Sequence, residues 1–206
     1  MDKACDDFLH EALSLAYPKQ GAADISAAIE VLRTGIKQHP NSINIKNLLS
    51  EFLLKSGDIT EALIFAESSV KEAPDNVMCH YAHGRVLLAL GNYASANRVF
   101  KLASSLPQSG NRKLQNDLAQ LTIKSESFWY EPVIGKKVSL HRMSQEHKSF
   151  LIECRHDHVF RRQYNMFHSQ AEKNIIKDLE RSQQHPLDSK KIDWVIMGNA
   201  KPIGLL

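Results

Sequence analysis

Two short stretches of the sequence combine cysteine with histidine, the residue types that bind transition metals. They are Cys79, His80 and His83 in the first half of the chain and Cys154, His156 and His158 in the second half. On a helix only residues three or four positions apart share a face, so His156 would point away from the other two members of its stretch. We therefore predict no metal site in either stretch.

Motifs for nucleophilic or nucleotide chemistry do not accompany these stretches. The sequence has no G-x-S-x-G elbow, no Walker loop and no Cys/His pair with catalytic spacing. Hydrolase and nucleotide-hydrolysing functions therefore have no support. We predict no catalytic residue in this chain.

The composition is that of a soluble globular protein, with 43% apolar and 24% charged residues. The net charge of +3 lies entirely after about residue 125 and is too small to predict nucleic-acid binding. No apolar run approaches the roughly 18 residues of a membrane span, and the first residues are acidic where a signal peptide would be basic. Three widely spaced cysteines suit reduced thiols. We therefore expect a cytoplasmic protein with no membrane partner.

A sequence repeat organises the first half of the chain. Ala28, Ala62 and Ala96 recur at an even step of about 34 residues, which is the length of a helix-turn-helix repeat unit. Two further sets keep the same phase, namely Asp24, Asp58 and Asn92 before the second helix of each unit and Pro40, Pro74 and Pro107 at its close. The three sets together predict three helical hairpins.

The third unit, residues 75–107, resembles a tetratricopeptide repeat. It has small and aromatic residues where that family places them, at Gly84, Gly91, Tyr93, Ala96, Phe100 and Ala103. The resemblance implies that Gly84 lets two helices approach, that Gly91 ends the first helix, and that Phe100 fills the gap between hairpins. In the second unit Gly57 keeps the helix-ending glycine and Ser50 replaces Gly84. In the first unit Ala23 stands where the turn glycine would be.

The fold class expected from this resemblance is an all-α solenoid of about three hairpins over residues 1–125, with a capping helix over 111–123. Such a solenoid presents the first helix of each hairpin along a concave groove. The candidate groove residues are Asn44, Asn47 and Glu51 in the second unit and Met78, Tyr81 and Arg85 in the third. This mixture suits a protein or peptide partner, and it departs from the lysine- and asparagine-rich clamp by which some family members hold a peptide carboxylate. The alternative is that these are ordinary solvated helix faces.

The repeat period ends before the second half of the chain, which we divide into a linker, 126–135, and a domain, 136–206. Alternation of Val138, Leu140 and Arg142 with polar residues predicts a strand, and Ser144 is expected to begin a helix. A capping box formed by Ser169 and Glu172 predicts a second helix. Residues 192–197 and 202–206 are predicted to be strands joined by a hairpin turn at 198–201.

This order of strand, helix, helix, strand and strand resembles the beginning of the GNAT N-acetyltransferase superfamily. Residues 140–142, 153–157 and 194–204 are similar to the branch that acetylates ribosomal-protein termini and amino sugars. The resemblance implies a partial α/β fold, acetyl transfer from acetyl-CoA to an amine, and an acceptor-substrate pocket that includes Arg155, Tyr164 and Asn165. The alternative is that Arg155 is a surface helix residue and Tyr164 packs under the sheet.

The sequence stops at Leu206, before the glycine-rich loop that holds acetyl-CoA in this superfamily. We therefore expect no productive acetyl-CoA binding, and we expect a fragment or truncated relative of a longer acetyltransferase. Residues 203–206 would then form an unpaired apolar sheet edge. Two functions stay open: an acetyltransferase-like protein whose helical repeats bind a partner, and a non-enzymatic adaptor.

Overall fold

The computed structural model describes residues 4–107, 111–163 and 172–206. The chain forms two compact units, divided between Glu126 and Ser127. Within the described residues, no helix has both the length and the apolar character that crossing a membrane requires.

The first unit is a series of helices in which each packs on the next along the chain. They are α1 (Cys5–Ala16), α2 (Ile25–Gln38), α3 (Ile43–Ser56), α4 (Ile59–Glu72), α5 (Val77–Ala89), α6 (Tyr93–Ser105) and α7 (Arg112–Lys124). The pairs α1–α2, α3–α4 and α5–α6 form hairpins, with short connections in the second and third, and α7 packs on α6. The prediction of repeated helical hairpins is thereby confirmed.

The repeated polar residues begin the second helix of each hairpin. Asp24, Asp58 and Asn92 are N-cap residues, and their side-chain oxygens accept hydrogen bonds from backbone N–H groups three residues later at 2.8, 3.1 and 3.3 Å. Each cap satisfies a donor that the first turn leaves unpaired. The repeat step therefore sets where these helices begin.

Glycines in the left-handed conformation lie in the turn of each hairpin. Gly57 and Gly91 follow α3 and α5 with φ of +91° and +75°, a conformation that costs glycine little. In the first hairpin the residue with this conformation is Gly21, at φ +91°. The turn glycine is thus present, two residues earlier than the position at which the sequence shows Ala23.

Small residues allow the two helices of each hairpin to approach closely. An added Cβ on Gly84 would lie 2.4 Å from Cε1 of Phe100, so the phenyl ring lies directly on the glycine. The sequence suggested that Phe100 fills the gap between hairpins. The structure shows that its ring also packs within its own hairpin. In the preceding hairpin the hydroxyl of Ser50 occupies this space and donates a hydrogen bond of 2.9 Å to the carbonyl oxygen of Ala62.

The second unit is a four-stranded antiparallel sheet with helices. Its elements are β1 (Val133–Ile134), β2 (Ser139–Arg142), α8 (Lys148–His156), α9 (His158–Gln163), α10 (Glu172–Gln183), α11 (Pro186–Ser189), β3 (Trp194–Gly198) and β4 (Lys201–Leu205). The strand order is β1-β2-β3-β4. Side chains of α8, α10, β3 and β4 form a common core.

The structure differs from the sequence prediction at the boundaries of some helices and strands. Residues 133–134, which lie in the segment expected to be a linker, form the short strand β1. Ser144 precedes a 3₁₀ turn, and α8 begins only at Lys148. Of the predicted capping box, Ser169 lies outside the described residues and Glu172 is the first residue of α10.

The β3–β4 hairpin lies at the edge of the sheet. Its two turn residues, Asn199 and Ala200, both have left-handed φ of 51° and 61°, as a type I′ turn requires. In β4 Ile203 is 58% exposed whereas Leu205 is buried, so only part of the predicted apolar edge faces solvent. The edge position of β4 also accommodates Pro202, which has no N–H to donate to a neighbouring strand.

Candidate functional site

A cavity of about 220 Å³ lies along the first helices of the three hairpins, α1, α3 and α5. These helices contact one another, which forms a continuous surface of the first unit. All six groove residues predicted from the sequence line the cavity: Asn44, Asn47, Glu51, Met78, Tyr81 and Arg85. The structure thus brings them together, and their role in binding stays a prediction.

The base of this groove is apolar, and none of its residues was predicted from the sequence. It is formed by Leu9, Leu13, Leu48, Leu54, Ala82 and Val86. The sequence repeat could have predicted one residue of this base. Leu13, Asn47 and Tyr81 are separated by the same step as the repeated alanines. Extending the repeat backwards into the first unit would have identified Leu13.

A charged cluster lies at the rim of the groove. Glu51 pairs with Lys55 at 2.9 Å and with Arg85 at 3.7 Å. Lys55 also contacts the hydroxyl oxygen of Tyr17 and lies 4.5 Å above the Tyr17 ring. Tyr17 is one repeat step before Glu51, so the same rim position is occupied in all three hairpins.

The ammonium group of Lys55 stays positively charged in this setting. Burial acts to lower its pKa, but hydrogen bonds to Tyr17 and Glu51 act in the opposite direction, and the net effect raises the pKa. The cluster therefore contains two cations, Lys55 and Arg85, and one carboxylate. Its electrostatic character is positive.

The amide of Asn47 lies deeper in the groove. Its Nδ2 donates to Sγ of Cys79 at 3.5 Å. Its Oδ1 is buried and has no hydrogen-bond partner among the residues that the structure describes. A buried acceptor without a donor costs free energy, and because this oxygen is fully buried, a ligand could reach it only after the side chain moved.

The α5 side of the groove combines an exposed apolar side chain with an aromatic and a cation. Met78 is 46% exposed. The guanidinium carbon of Arg85 lies 5.6 Å from the centre of the Tyr81 ring, within the range of a cation–π contact. This contact holds the guanidinium at the rim, where it can reach an incoming group.

The acceptor-site candidates of the second unit are only partly described. Arg155 forms an ion pair with Asp178 of α10 and lines a cavity of about 280 Å³. Its side chain is 18% exposed, so it is more buried than an ordinary surface residue. Tyr164 and Asn165 lie outside the described residues. The assignment of an acceptor pocket therefore stays a prediction.

The cysteines of the two stretches are buried, whereas His156 and His158 are exposed. His80 is buried, with its Nε2 2.6 Å from the carbonyl oxygen of Pro74, and burial lowers the pKa of His83. Burial raises the pKa of the Cys154 thiol to about 11, which keeps it protonated at neutral pH. Within the parts of the chain that the structure describes, no three potential ligands are grouped to hold a metal ion.

Comparison with known proteins gives similarity in fold. No family model and no curated protein matches the sequence. A solved TPR2B domain of yeast Sti1, in a complex with pHsp70, is 19% identical with a TM-score of 0.52, and the match covers 59% of this chain and 94% of that chain. A TPR2AB-domain structure of yeast Sti1, in a complex with pHSP90, is 18% identical with a TM-score of 0.52. That match covers 59% of this chain and 46% of the other.

Identities of 19% and 18% show the fold alone. Both matched structures are tetratricopeptide (TPR) domains, and their likeness agrees with the hairpins, caps and turn glycines described above. They give no support to the acetyltransferase resemblance. The helical hairpins of this chain therefore have the fold of a TPR solenoid.

Proposed function

We propose that the first unit binds a peptide segment of a protein partner in the groove between α1, α3 and α5, and that the chain acts as an interaction adaptor. The observation that carries this proposal is the composition of the groove. An apolar base and a charged rim lie within one cavity. The two similar TPR domains of yeast Sti1 are themselves in complexes with pHsp70 and pHSP90, which supports a binding role for this fold.

The size of the cavity favours a peptide side chain over a free small molecule. Pockets for small molecules have volumes of about 300–1,000 Å³, and this cavity has about 220 Å³. Burying one Leu or Phe side chain contributes about 1.5–3 kcal/mol. One such anchor gives weak affinity alone, so the polar rim must add contacts along the same segment.

An enzymatic role is not proposed for the second unit. The comparisons do not support the acetyltransferase interpretation. The strand and helix order of the second unit is compatible with other functions, because a fold alone does not define a reaction. The adaptor function therefore fits the findings better.

Filling the groove tests the proposal. Ala82 lines the cavity on α5, so Ala82→Trp places an indole where the partner side chain would lie. Ala94 is exposed on α6 and does not line the cavity, which makes Ala94→Trp the matched control. Random 12-residue peptides displayed on phage are selected on the full immobilised chain.

The proposal predicts that selected peptides bind the wild type and Ala94→Trp but not Ala82→Trp. Circular dichroism confirms that both variants keep their helices. Equal binding to the wild type and to Ala82→Trp would show that the groove is not the binding site. Failure to enrich any peptide on the wild type would contradict the proposed function.

A further inference from the structure

The charges at the groove rim indicate what kind of segment the groove selects. Resting on the proposed function, we infer that the partner segment inserts one bulky apolar side chain into the cavity and presents a side-chain carboxylate to Arg85. Two features of the groove support this inference: the apolar base and the charge balance.

The apolar base specifies the anchor. Leucines of two different helices, Leu9 and Leu13 on α1 and Leu48 and Leu54 on α3, face the same cavity as Val86 of α5. Side chains from three helices therefore surround an inserted group. A polar or charged anchor would lose its hydration without gaining a hydrogen bond from these residues, so the groove selects an aliphatic or aromatic side chain.

The charge balance specifies the neighbouring side chain. Among the described residues that line the cavity, Glu51 is the only acidic one, and Lys55 holds it at 2.9 Å. Arg85 is 3.7 Å from the same carboxylate, which is beyond a hydrogen bond. One carboxylate thus balances two cations. A second carboxylate, supplied by the partner, would complete the pairing of Arg85 through the directed N–H groups of its guanidinium.

Synthetic peptides derived from the phage selection test this inference. Each selected sequence is made in a fluorescent form with its acidic residue intact and with that residue changed to the amide, Glu→Gln or Asp→Asn. Each is also made with a free and with an amidated C-terminus. Binding by fluorescence anisotropy is measured on the full chain, on Arg85→Gln, and on Arg98→Gln, whose arginine is exposed on α6 outside the cavity.

We expect selected peptides to share a bulky apolar residue close to Asp or Glu. Replacing the acid should weaken binding roughly fivefold to the wild type and to Arg98→Gln, the effect of one partly exposed ion pair. The same replacement should have less than about a twofold effect with Arg85→Gln, because the two changes remove one interaction. Amidation of the C-terminus should change binding less than about twofold.

Several results would overturn the inference. Selection of basic peptides, an equal loss from the acid replacement in Arg85→Gln, or dependence on a free C-terminus would each contradict it. In those cases the groove would still bind peptides, and the proposed function would stand. If no peptide bound to the wild type in a way that Ala82→Trp abolishes, both the proposed function and this inference would be wrong.

Discussion

The substitution Gly84→Ala tests the packing of the third hairpin. The added methyl group would lie 2.4 Å from Cε1 of Phe100 and 2.8 Å from two more ring carbons. The ring is fully buried, so it cannot turn into solvent. Overpacking of this kind costs about 1–3 kcal/mol, whereas alanine in place of glycine in a helix gains about 1 kcal/mol. Because the contact is so short, we expect a net loss of about 1–2 kcal/mol.

Urea denaturation monitored by circular dichroism measures this loss, and a lowering of Tm by roughly 4 °C per kcal/mol should accompany it. The matched background is Phe100→Leu, which lacks the Cε1 and Cζ atoms that make two of the three close contacts. In that background the loss caused by Gly84→Ala should be much smaller, because the contacts with Cε1 and Cζ are absent and the helix preference of alanine offsets the contact that remains. A stabilising effect in the wild type, or an equal loss in both backgrounds, would refute the packing argument.

Four further outcomes follow from single features of the structure. Asp58→Ala removes the N-cap hydrogen bond of α4 and should cost about 1 kcal/mol in urea denaturation; no loss would contradict the cap. Ala200→Gly relieves the left-handed φ of 61° and should stabilise the second unit by about 1 kcal/mol in thermal unfolding; destabilisation would contradict the type I′ turn. In the Cys5→Ser variant Cys154, with its pKa raised to about 11, should react with a thiol reagent at pH 8 at roughly one thousandth of the rate of an exposed thiolate; rapid labelling would contradict its burial. Addition of acetyl-CoA should leave the melting temperature unchanged, and a clear rise would show cofactor binding.

The architecture of the first unit was predictable because one physical requirement recurs in every repeat. The second helix of each hairpin begins with a side chain that accepts a hydrogen bond from an otherwise unpaired backbone N–H group, at Asp24, Asp58 and Asn92. Because such a cap involves only residues close in sequence, it can be predicted without knowing how the helices pack. The same step located Asn47 and Tyr81 in one groove. Periodic local chemistry therefore predicted both the hairpins and the polar groove residues.

Contacts between distant parts of the chain were not predictable. The ion pair between Lys46 and Glu72 joins α3 and α4, and that between Arg155 and Asp178 joins α8 and α10. Neither pair has a short-range spacing that would identify it. Their formation depends on how helices cross, which the sequence pattern does not specify.

Short irregular elements were also missed. The strand β1 has only two residues, Val133 and Ile134, and lies between Pro132 and Gly135, which are typical of loops. The strand exists because its two residues pair with Leu140 and Ser139 of β2. The turn glycine at Gly21 was missed for a related reason, because the first repeat has a longer connection than the others.

Hydrogen–deuterium exchange of the full chain tests the central claim most directly. With a saturating phage-selected peptide, we expect slower exchange in α1, α3 and α5, and no change in α2, α4, α6 or the second unit. Protection confined to the second helices of the hairpins, or to residues 127–206, would contradict a peptide-binding groove on the first helices.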